Sequence, residues 1–266
     1  MHASVFDRYL LGHSLIHRLD PRVKVVVTLL FIVSNVVLPD GAWPGFALAL
    51  VWVLMVTRAA GLPWDFALRR SFVALPFALV AVTTLFSLPG DPLVAFRLGP
   101  WSLGISEAGL LRFVSIVIRT LLSVMMAVLL AATTSFPDML HAFRHLRLPS
   151  LLVAVIGFMY RYLFVLTDEV IRLLRARSAR SGQLPGYKAG GTVFWRARVT
   201  GYMAGQLFVR SFARSERVYQ AMLARGYRGH MYTLNPHAMR RQDWLLAALA
   251  VAALTLIQAA GRLSLV

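Results

Sequence analysis

The sequence contains no cysteine, which excludes disulfide bonds, thiolate metal ligands and cysteine nucleophiles. Charged residues are also scarce. Asp, Glu, Lys and Arg make up only 15% of the 266 residues, whereas soluble domains average about a quarter. Hydrophobic residues reach 58%, and the mean hydropathy is +0.67. Long apolar runs account for this excess, so we expect lipid to surround much of the chain.

Motifs of nucleotide binding, ion transfer and secretion are missing as well. No Gly-x-x-x-x-Gly-Lys-Ser/Thr loop is present, so the chain cannot hold the phosphates of ATP in that way. Acidic residues, which would mark a proton or ion path, are absent from the segments predicted below to span the membrane. The segment 2–20 is polar, so we expect no cleaved signal peptide.

Two histidine pairs have the four-residue spacing that can bind a metal ion on one face of a helix. They are His13 with His17 and His141 with His145. Neither pair has a third ligand nearby, and the neighbouring arginines repel cations. We therefore predict no metal site and no cofactor bound by this chain itself.

The net charge is +17, from 28 Lys and Arg against 11 Asp and Glu. A strongly basic protein could bind nucleic acid, but the sequence has no zinc-finger or RNA-binding signature and no basic low-complexity tail. A membrane protein accumulates Lys and Arg in its cytoplasmic loops, and this explanation also fits the apolar composition. We predict that the chain contacts a lipid bilayer and no nucleic acid.

Five apolar segments are predicted to be transmembrane helices. Pro39-Asp40-Gly41 is a turn typical of a helical hairpin between the first two segments. Lys and Arg concentrate on one side of this arrangement and the outer loops carry only Arg97, so we predict a cytoplasmic N-terminus. The five segments are 24–38, 42–57, 71–88, 111–133 and 244–261.

Two further helices are predicted in the arginine-rich region 168–243 and just before it. The segment 150–167 could cross a bilayer at about 1.5 Å per residue, but a crossing here would put the arginines outside. We interpret 150–181 as a long helix along the inner membrane face, and crossing stays the open alternative. An amphipathic helix over 201–225 either rests on lipid or couples the bundle to a partner. Its apolar stripe is Phe208, Phe212, Ser215, Tyr219 and Met222, with Arg210, Arg214 and Arg217 on the opposite side.

Two helix ends in this basic region share a pattern. The first is Ala176-Arg177-Ser178 and the second is Ala224-Arg225-Gly226, and an acidic residue, Glu169 or Glu216, precedes each by about two turns. An arginine in the last turn of a helix gains about 0.3–1 kcal/mol from the helix dipole, which is a purely structural role. Small neighbours also clear space for a guanidinium to enter a groove and bind a carboxylate through two hydrogen bonds. We favour the second alternative because the pattern occurs twice.

These motifs resemble the T component of energy-coupling factor transporters and, within that family, the CbiQ-type subunit of cobalt importers. In the first signature Ser178 stands where many members have Gly. The tandem Ala179-Arg180-Ser181 leaves the register of that signature ambiguous by three residues, and Arg177 is favoured by its spacing from Glu169. The other stretches that carry the resemblance are His17-Arg18-Leu19-Asp20-Pro21-Arg22-Val23-Lys24, Thr134-Ser135-Phe136-Pro137-Asp138, Phe158-Met159-Tyr160-Arg161-Tyr162, Leu207-Phe208-Val209-Arg210-Ser211-Phe212 and Ala221-Met222-Leu223-Ala224-Arg225-Gly226-Tyr227.

The resemblance implies a scaffold role in a larger transporter. Two copies of a cytosolic ABC ATPase would bind the signatures through Arg177 and Arg225, and a separate integral membrane subunit would capture the substrate. This chain would transmit ATP-driven motion in the bacterial cytoplasmic membrane and would not be an enzyme, with ATP and metal bound by its partners. Cobalt is the implied substrate, and nickel or a vitamin is the alternative. A stand-alone secondary permease should show polar or broken helices at mid-membrane, and an intramembrane enzyme should show a nucleophile or metal constellation.

The predicted fold is all-α, with about five transmembrane helices and two long amphipathic cytoplasmic helices that cross each other. The predicted domains are a four-span membrane domain over 1–148, a coupling domain over 149–243 and a C-terminal transmembrane helix over 244–266.

One more motif lies at the start of the first predicted span. Asp20 could cap this helix, Pro21 could occupy its first position and Arg22 could lie among the lipid headgroups. Contact with a partner subunit is the alternative. The same two alternatives, structural or partner-binding, apply to Arg161 and Arg180.

Overall fold

The computed structural model describes residues 9–10, 12–74, 76, 80–87, 92–98, 101–180, 192–229 and 239–264. Its elements in chain order are α1 (Leu15–Arg18), α2 (Pro21–Val37), α3 (Trp43–Ala59), α4 (Asp65–Ser71), a 3-10 turn (Phe72–Ala74), α5 (Thr83–Ser87), β1 (Pro92–Leu98), β2 (Trp101–Ser106), α6 (Glu107–Thr133), α7 (Phe136–His145), α8 (Ser150–Arg180), α9 (Val193–Ala224) and α10 (Arg241–Leu263).

The predicted α-helical class is confirmed, with one addition. The strands β1 and β2 form an antiparallel hairpin in a segment that we had assigned only to an outer loop. A signal for β2 is present in the sequence, because apolar residues alternate with Ser or Gly from Trp101 to Ser106.

The described residues fall into two compact units. The bundle unit contains α1 to α6 and α10, so the C-terminal helix belongs with the N-terminal helices. The helix-pair unit contains α8 and α9. The functional domain boundaries at 148 and 243 stay a prediction.

The start of α2 follows directly from its sequence. The side chain of Asp20 accepts a hydrogen bond from the backbone N–H of Arg22 at 2.9 Å, which caps the helix. Pro21 occupies the first helical position, where its missing N–H has no intrahelical partner to lose. The predicted turn between α2 and α3 is present, and Gly41 adopts a φ of 80° there.

The core of the bundle unit is formed by α2, α3, α6 and α10. Phe31 from α2, Val53 from α3 and Leu122 from α6 are each at most 1% exposed, and Ile257 of α10 packs in the same cluster. The helices α2 and α3 have 17 residues each and are about 26 Å long, whereas the hydrocarbon core is about 30 Å thick. The 27 residues of α6 extend over about 40 Å.

The two helices α3 and α10 pass each other at a pair of glycines. A Cβ atom built on Gly45 would lie 3.1 Å from the Cα of Gly261 and 2.6 Å from Cδ2 of Leu38. No side chain fits in that space, so glycine is required on both helices at this crossing.

A polar cluster joins the turn after α2 to the middle of α6. Arg119 pairs with Asp40 at 2.8 Å and donates to the carbonyl of Leu38. Asn35 donates to the carbonyl of Arg119 at 2.9 Å and to the hydroxyl of Ser123 at 3.0 Å. Charged residues inside spans are costly unless they are paired, and we had not recognised Arg119 as one.

The predicted span over 71–88 is wrong as a single helix. In the described part of that segment, α4 ends at Ser71, a 3-10 turn follows, residues 81–82 form a turn, and α5 covers only Thr83–Ser87. Pro76 lies in this interval and cannot donate the backbone hydrogen bond that a continuous helix needs.

Three described helices are long and apolar enough to cross a membrane, namely α6, α8 and α10, and α3 is a shorter apolar helix. The spans predicted over 111–133 and 244–261 are therefore confirmed as long apolar helices. The first part of α8 has the composition of a span, which supports the crossing alternative for 150–167. The total number of spans stays a prediction.

Candidate functional site

The helices α8 and α9 run antiparallel, and polar contacts join them. The guanidinium of Arg210 lies 2.6 Å from the carboxylate of Glu169. Further along the pair, Arg177 donates to the hydroxyl of Thr200 at 3.4 Å. These contacts show that two long helices in the basic region meet each other. That they cross, lie in the cytoplasm and couple to a partner stays a prediction.

A groove with a volume of about 410 Å³ lies between the two helices. Phe158 and Tyr162 of α8 form one wall, and Phe208 and Phe212 of α9 form the other. The predicted apolar stripe of α9 therefore faces α8 in part. Our placement of Arg210 and Arg214 on the opposite side of α9 is wrong, because the first contacts Glu169 and the second lines this groove.

The first signature lies in the last turns of α8. Arg177 is half-buried against α9, whereas Ala176 and Arg180 are exposed. The hydroxyl of Ser178 donates to the carbonyl of Arg175 at 2.8 Å, so this small residue satisfies a carbonyl near the helix end. Arg177 thus contacts α9, whereas Arg180, three residues later, is exposed.

The second signature ends α9 with a Schellman motif. The N–H of Gly226 donates to the carbonyl of Leu223 at 2.9 Å, and the N–H of Tyr227 donates to that of Met222 at 3.0 Å. Gly226 has a φ of 80°, which is unfavourable for a residue with a Cβ. The predicted helix stop at Gly226 is confirmed. Arg225 is the C-cap residue and is exposed, next to Ala224.

The two signatures are far apart on the helix pair. Thr200, which marks the position of Arg177, and Arg225 are separated by 25 positions of α9, or about 37 Å at the helical rise. The guanidinium groups therefore occupy separate places along the helix pair. Each lies near the C-terminal end of its own helix, where the helix dipole favours a cation.

The acidic residues of the two signatures have different roles. Glu169 binds Arg210 of the other helix, whereas Glu216 accepts a hydrogen bond from Gln220 one turn later on its own helix at 2.9 Å. The similar spacing of Arg177 from Glu169 and of Arg225 from Glu216, which led us to favour Arg177, thus has no common structural cause. The choice between Arg177 and Arg180 stays a prediction.

The start of α2 belongs to a buried junction. Asp20 is 4% exposed, and its backbone N–H donates a hydrogen bond to the carboxylate of Asp243 at the start of α10, at 3.3 Å. Arg22 lies 3.8 Å from the carboxylate of Asp20. The cap that Asp20 gives to α2 and its burial in this junction are contacts within the chain, which support the structural alternative for Asp20 and Pro21. The role of Arg22 stays a prediction.

Lys24 is a buried structural residue of this junction, and its contacts were not predicted from the sequence. It is 7% exposed, and its ammonium donates to the carbonyls of His17 at 3.1 Å and Thr133 at 3.0 Å. A lysine inside an apolar segment is the signal that points to such a partner. It ties the ends of α1 and α6 to α2.

Two other features of the helix pair have open surroundings. Arg161 is exposed on α8. Gly201 and Gly205 lie one turn apart on α9, a spacing that lets another helix approach. Nothing in the described chain comes within 4 Å of a Cβ atom built on either glycine.

His17 is held by its neighbours on both ring nitrogens. Nε2 donates to the carbonyl of Leu10 at 3.1 Å, so in the neutral ring Nδ1 accepts from the hydroxyl of Ser14 at 2.7 Å. Burial lowers the pKa of His17, and the hydrogen bond to Leu10 opposes this. Among the residues that the structure describes, no group of three or more potential metal ligands occurs.

Comparison with known proteins gives the family context. A family model described as a cobalt transport protein, CbiQ, matches residues 12–234. Proteins described as energy-coupling factor transporter transmembrane protein EcfT from Thermosediminibacter oceani and Listeria innocua are each 30% identical to this chain, over 239 and 243 residues, and each alignment covers 86% of both proteins. The protein of that description from Bacillus subtilis is 26% identical over 237 residues, with the same coverage.

Proposed function

This chain belongs to the CbiQ family and is a transmembrane component of energy-coupling factor transporters, and we propose that it is the coupling subunit of a cobalt importer. In this role it binds two copies of a cytosolic ABC ATPase and one integral membrane subunit that captures the substrate. The chain itself carries out no chemical step.

The observation that carries the proposal is that the two arginine-bearing helix ends belong to one pair of antiparallel helices. Arg177 and Arg225 are separated by about 37 Å along α9, so two ATPase subunits can bind side by side without competing for the same cation. A motion of either ATPase then acts on a helix that contacts its neighbour through the ion pair of Glu169 with Arg210 and through the hydrogen bond of Arg177 to Thr200.

The shape and charge of the arginine side chain explain how each proposed contact with an ATPase forms. Its planar guanidinium binds a carboxylate through two parallel hydrogen bonds, and the small residues beside it leave room for the walls of a groove. Arg225 is exposed at a helix end whose backbone the Schellman motif fixes, so its Cα has a defined position at the end of α9. We propose acidic grooves on the ATPases as the binding sites.

The orientation in the membrane follows from the distribution of charge. Lys and Arg concentrate in 168–243, and positive segments stay in the cytoplasm. We propose that the N-terminus and the helix pair face the cytoplasm, where the ATPases are.

The proposal of cobalt as the transported ion rests on the description of the family model. Nickel or a vitamin is the alternative, because the substrate is recognised by the partner subunit. Competition in whole cells separates these cases. Excess nickel should leave labelled cobalt uptake largely unchanged, and the opposite preference would replace cobalt in the proposal.

Co-purification tests the coupling role. Tagged full-length chain, expressed with untagged ATPases and the substrate-binding subunit, should retain both in mild detergent. Uptake should need ATP and all the subunits. Uptake by this chain alone in proteoliposomes would favour a secondary permease.

A further inference from the structure

A cavity of about 100 Å³ lies inside the bundle unit, among α1, α2, α3, α6 and α10. Its wall is almost entirely apolar and includes Trp52 and Val56 of α3, Leu129 of α6, and Leu246 and Leu249 of α10. A space of only about 10–15 Å³ is enough for one water molecule. An apolar cavity that is much larger nevertheless stays dry and accepts hydrocarbon ligands. The cavity therefore suits an aliphatic group.

The one charged residue in the wall does not make the cavity polar. The ammonium of Lys24 is held by the carbonyls of His17 and Thr133, which leaves its methylene stem as its contribution to the wall. The indole N–H of Trp52 is buried and has no hydrogen-bond partner among the described residues. It is a donor that a ligand oxygen could satisfy.

We infer an opening of the cavity between α3 and α10 from the exposure of two lining residues of α10. These helices touch at Gly45 and Gly261, and Val56 lies 11 positions further along α3, or about 17 Å from that contact. Leu246 and Leu249 of α10 are 41% and 59% exposed on the way in. The mouth is thus bordered by side chains of an apolar helix surface that lipid covers.

Cations and an aromatic ring surround this end of the bundle. Arg58, Arg240 and Arg241 are exposed, and they lie within about 3–9 Å, along the helix axes, of lining residues on α3 and α10. Trp244 is 64% exposed beside them. Arginine and tryptophan together are typical of the level of the lipid headgroups, where anionic lipids bind basic side chains.

We propose that this cavity binds one acyl chain of an anionic phospholipid from the leaflet at the arginine-rich end. The acyl chain enters between α3 and α10 and fills the apolar space. The indole N–H of Trp52 donates to an ester oxygen, and Arg58 and Arg241 bind the phosphate. This site is independent of the coupling role.

Photolabelling of the full-length chain tests the site. The probe is phosphatidylglycerol with a diazirine in the middle of one acyl chain, as a trace in nanodiscs of phosphatidylcholine and phosphatidylglycerol. Burial of two methylene groups is worth about a tenfold gain in affinity. We therefore expect about tenfold more label on Trp52, Val56, Leu246 and Leu249 than on Leu256, which is exposed on the same helix α10. Equal labelling of both sets would overturn the proposal.

Matched variants of α10 separate the cavity from general contact with lipid. Ala250 lines the cavity and Ala248 is exposed and does not. Ala250→Leu should lower the label on the lining residues about tenfold, and Ala248→Leu should leave it unchanged. Leu249→Trp, at the mouth, is the second blocking variant and serves where Ala250→Leu lowers the yield of folded protein. Undiminished labelling in a folded blocking variant would contradict the site.

The headgroup is tested by changing the lipid and the arginines together. The wild-type chain should take up less label from a diazirine phosphatidylcholine than from the phosphatidylglycerol probe. Arg58→Gln combined with Arg241→Gln should remove this preference. Equal labelling by both lipids in the wild type would overturn the assignment of an anionic headgroup.

Discussion

The bundle unit and the helix-pair unit differ in how many of their residues are buried and hydrogen-bonded within the unit itself. In the bundle, α6 buries residues along its whole length, and buried Asn35, Lys24 and Asp243 have hydrogen-bond partners on other helices. In the helix pair, α8 buries only Ala154 and α9 buries nothing among the described residues. The bundle is built to hold its own shape, whereas the helix pair leaves most of its surface for lipid and protein partners.

This difference gives a ranking of the effects of substitution on folding stability, and the glycines of the two units should differ most. Gly261→Leu should destabilise the bundle by about 3 kcal/mol or more, because no side chain fits at the contact with Gly45. Gly205→Leu on α9 meets open space and should be neutral or stabilising by less than about 1 kcal/mol. Thermal unfolding in detergent measures both, and similar losses would remove the contrast between the units.

The next largest effect is expected at Lys24. Lys24→Met keeps the length of the side chain but leaves two buried carbonyls without their donor. The expected loss is about 2 kcal/mol. Arg18→Met, an exposed neighbour on α1, is the control and should change the unfolding temperature little. A silent Lys24→Met would mean that the junction does not stabilise the bundle.

Much of what forms these two units could be predicted from the sequence, because local signals decide it. Asp20 followed by Pro21 predicts the start of α2, and Gly226 predicts the end of α9. The break in 71–88 was missed because its composition is that of a span and only Pro76 signals an interruption. The contacts of Asp243 with Asp20 and of Arg210 with Glu169 join residues far apart in the chain, and no local pattern reveals such pairs.

A smaller effect is expected from the ion pair of the helix pair. The side chain of Arg210 is 54% exposed, and solvent screens an exposed pair. A double-mutant cycle of Glu169→Gln and Arg210→Gln should therefore give a coupling energy below about 1 kcal/mol. Glu216→Gln, which loses only a contact on its own helix, is the control. A coupling energy several times larger would show that the helix pair is held together as firmly as the bundle.

The smallest effect is expected from the titration of His17. Burial lowers the pKa of His17 in the folded chain below the ordinary value of 6.5. At a pH between this lowered pKa and 6.5, the unfolded chain therefore binds the proton more readily than the folded chain. Stability should fall as the pH drops below 6.5 and be constant above it. His17→Gln should flatten this part of the curve of unfolding temperature against pH. A wild-type chain that becomes more stable on acidification would contradict the sign.

In the proposed function, the helix pair binds the ATPases through Arg177 and Arg225. The most direct test is the affinity of the purified ATPases for the full-length chain in nanodiscs, with Arg177→Ala, Arg225→Ala, Arg225→Glu and the double alanine variant. Arg180→Ala decides the register of the first signature, and Arg217→Ala is the exposed control on α9.

Truncating one partner of a buried arginine–carboxylate contact costs about 2–5 kcal/mol. Each alanine variant should therefore weaken binding about thirtyfold or more, and Arg225→Glu should be worse because it adds repulsion. Unfolding temperatures should change little, because the contact of Arg177 with Thr200 is solvent-exposed. Undiminished ATPase affinity in the double alanine variant would contradict the account, whereas a loss at Arg180 in place of Arg177 would only move the first contact by one turn.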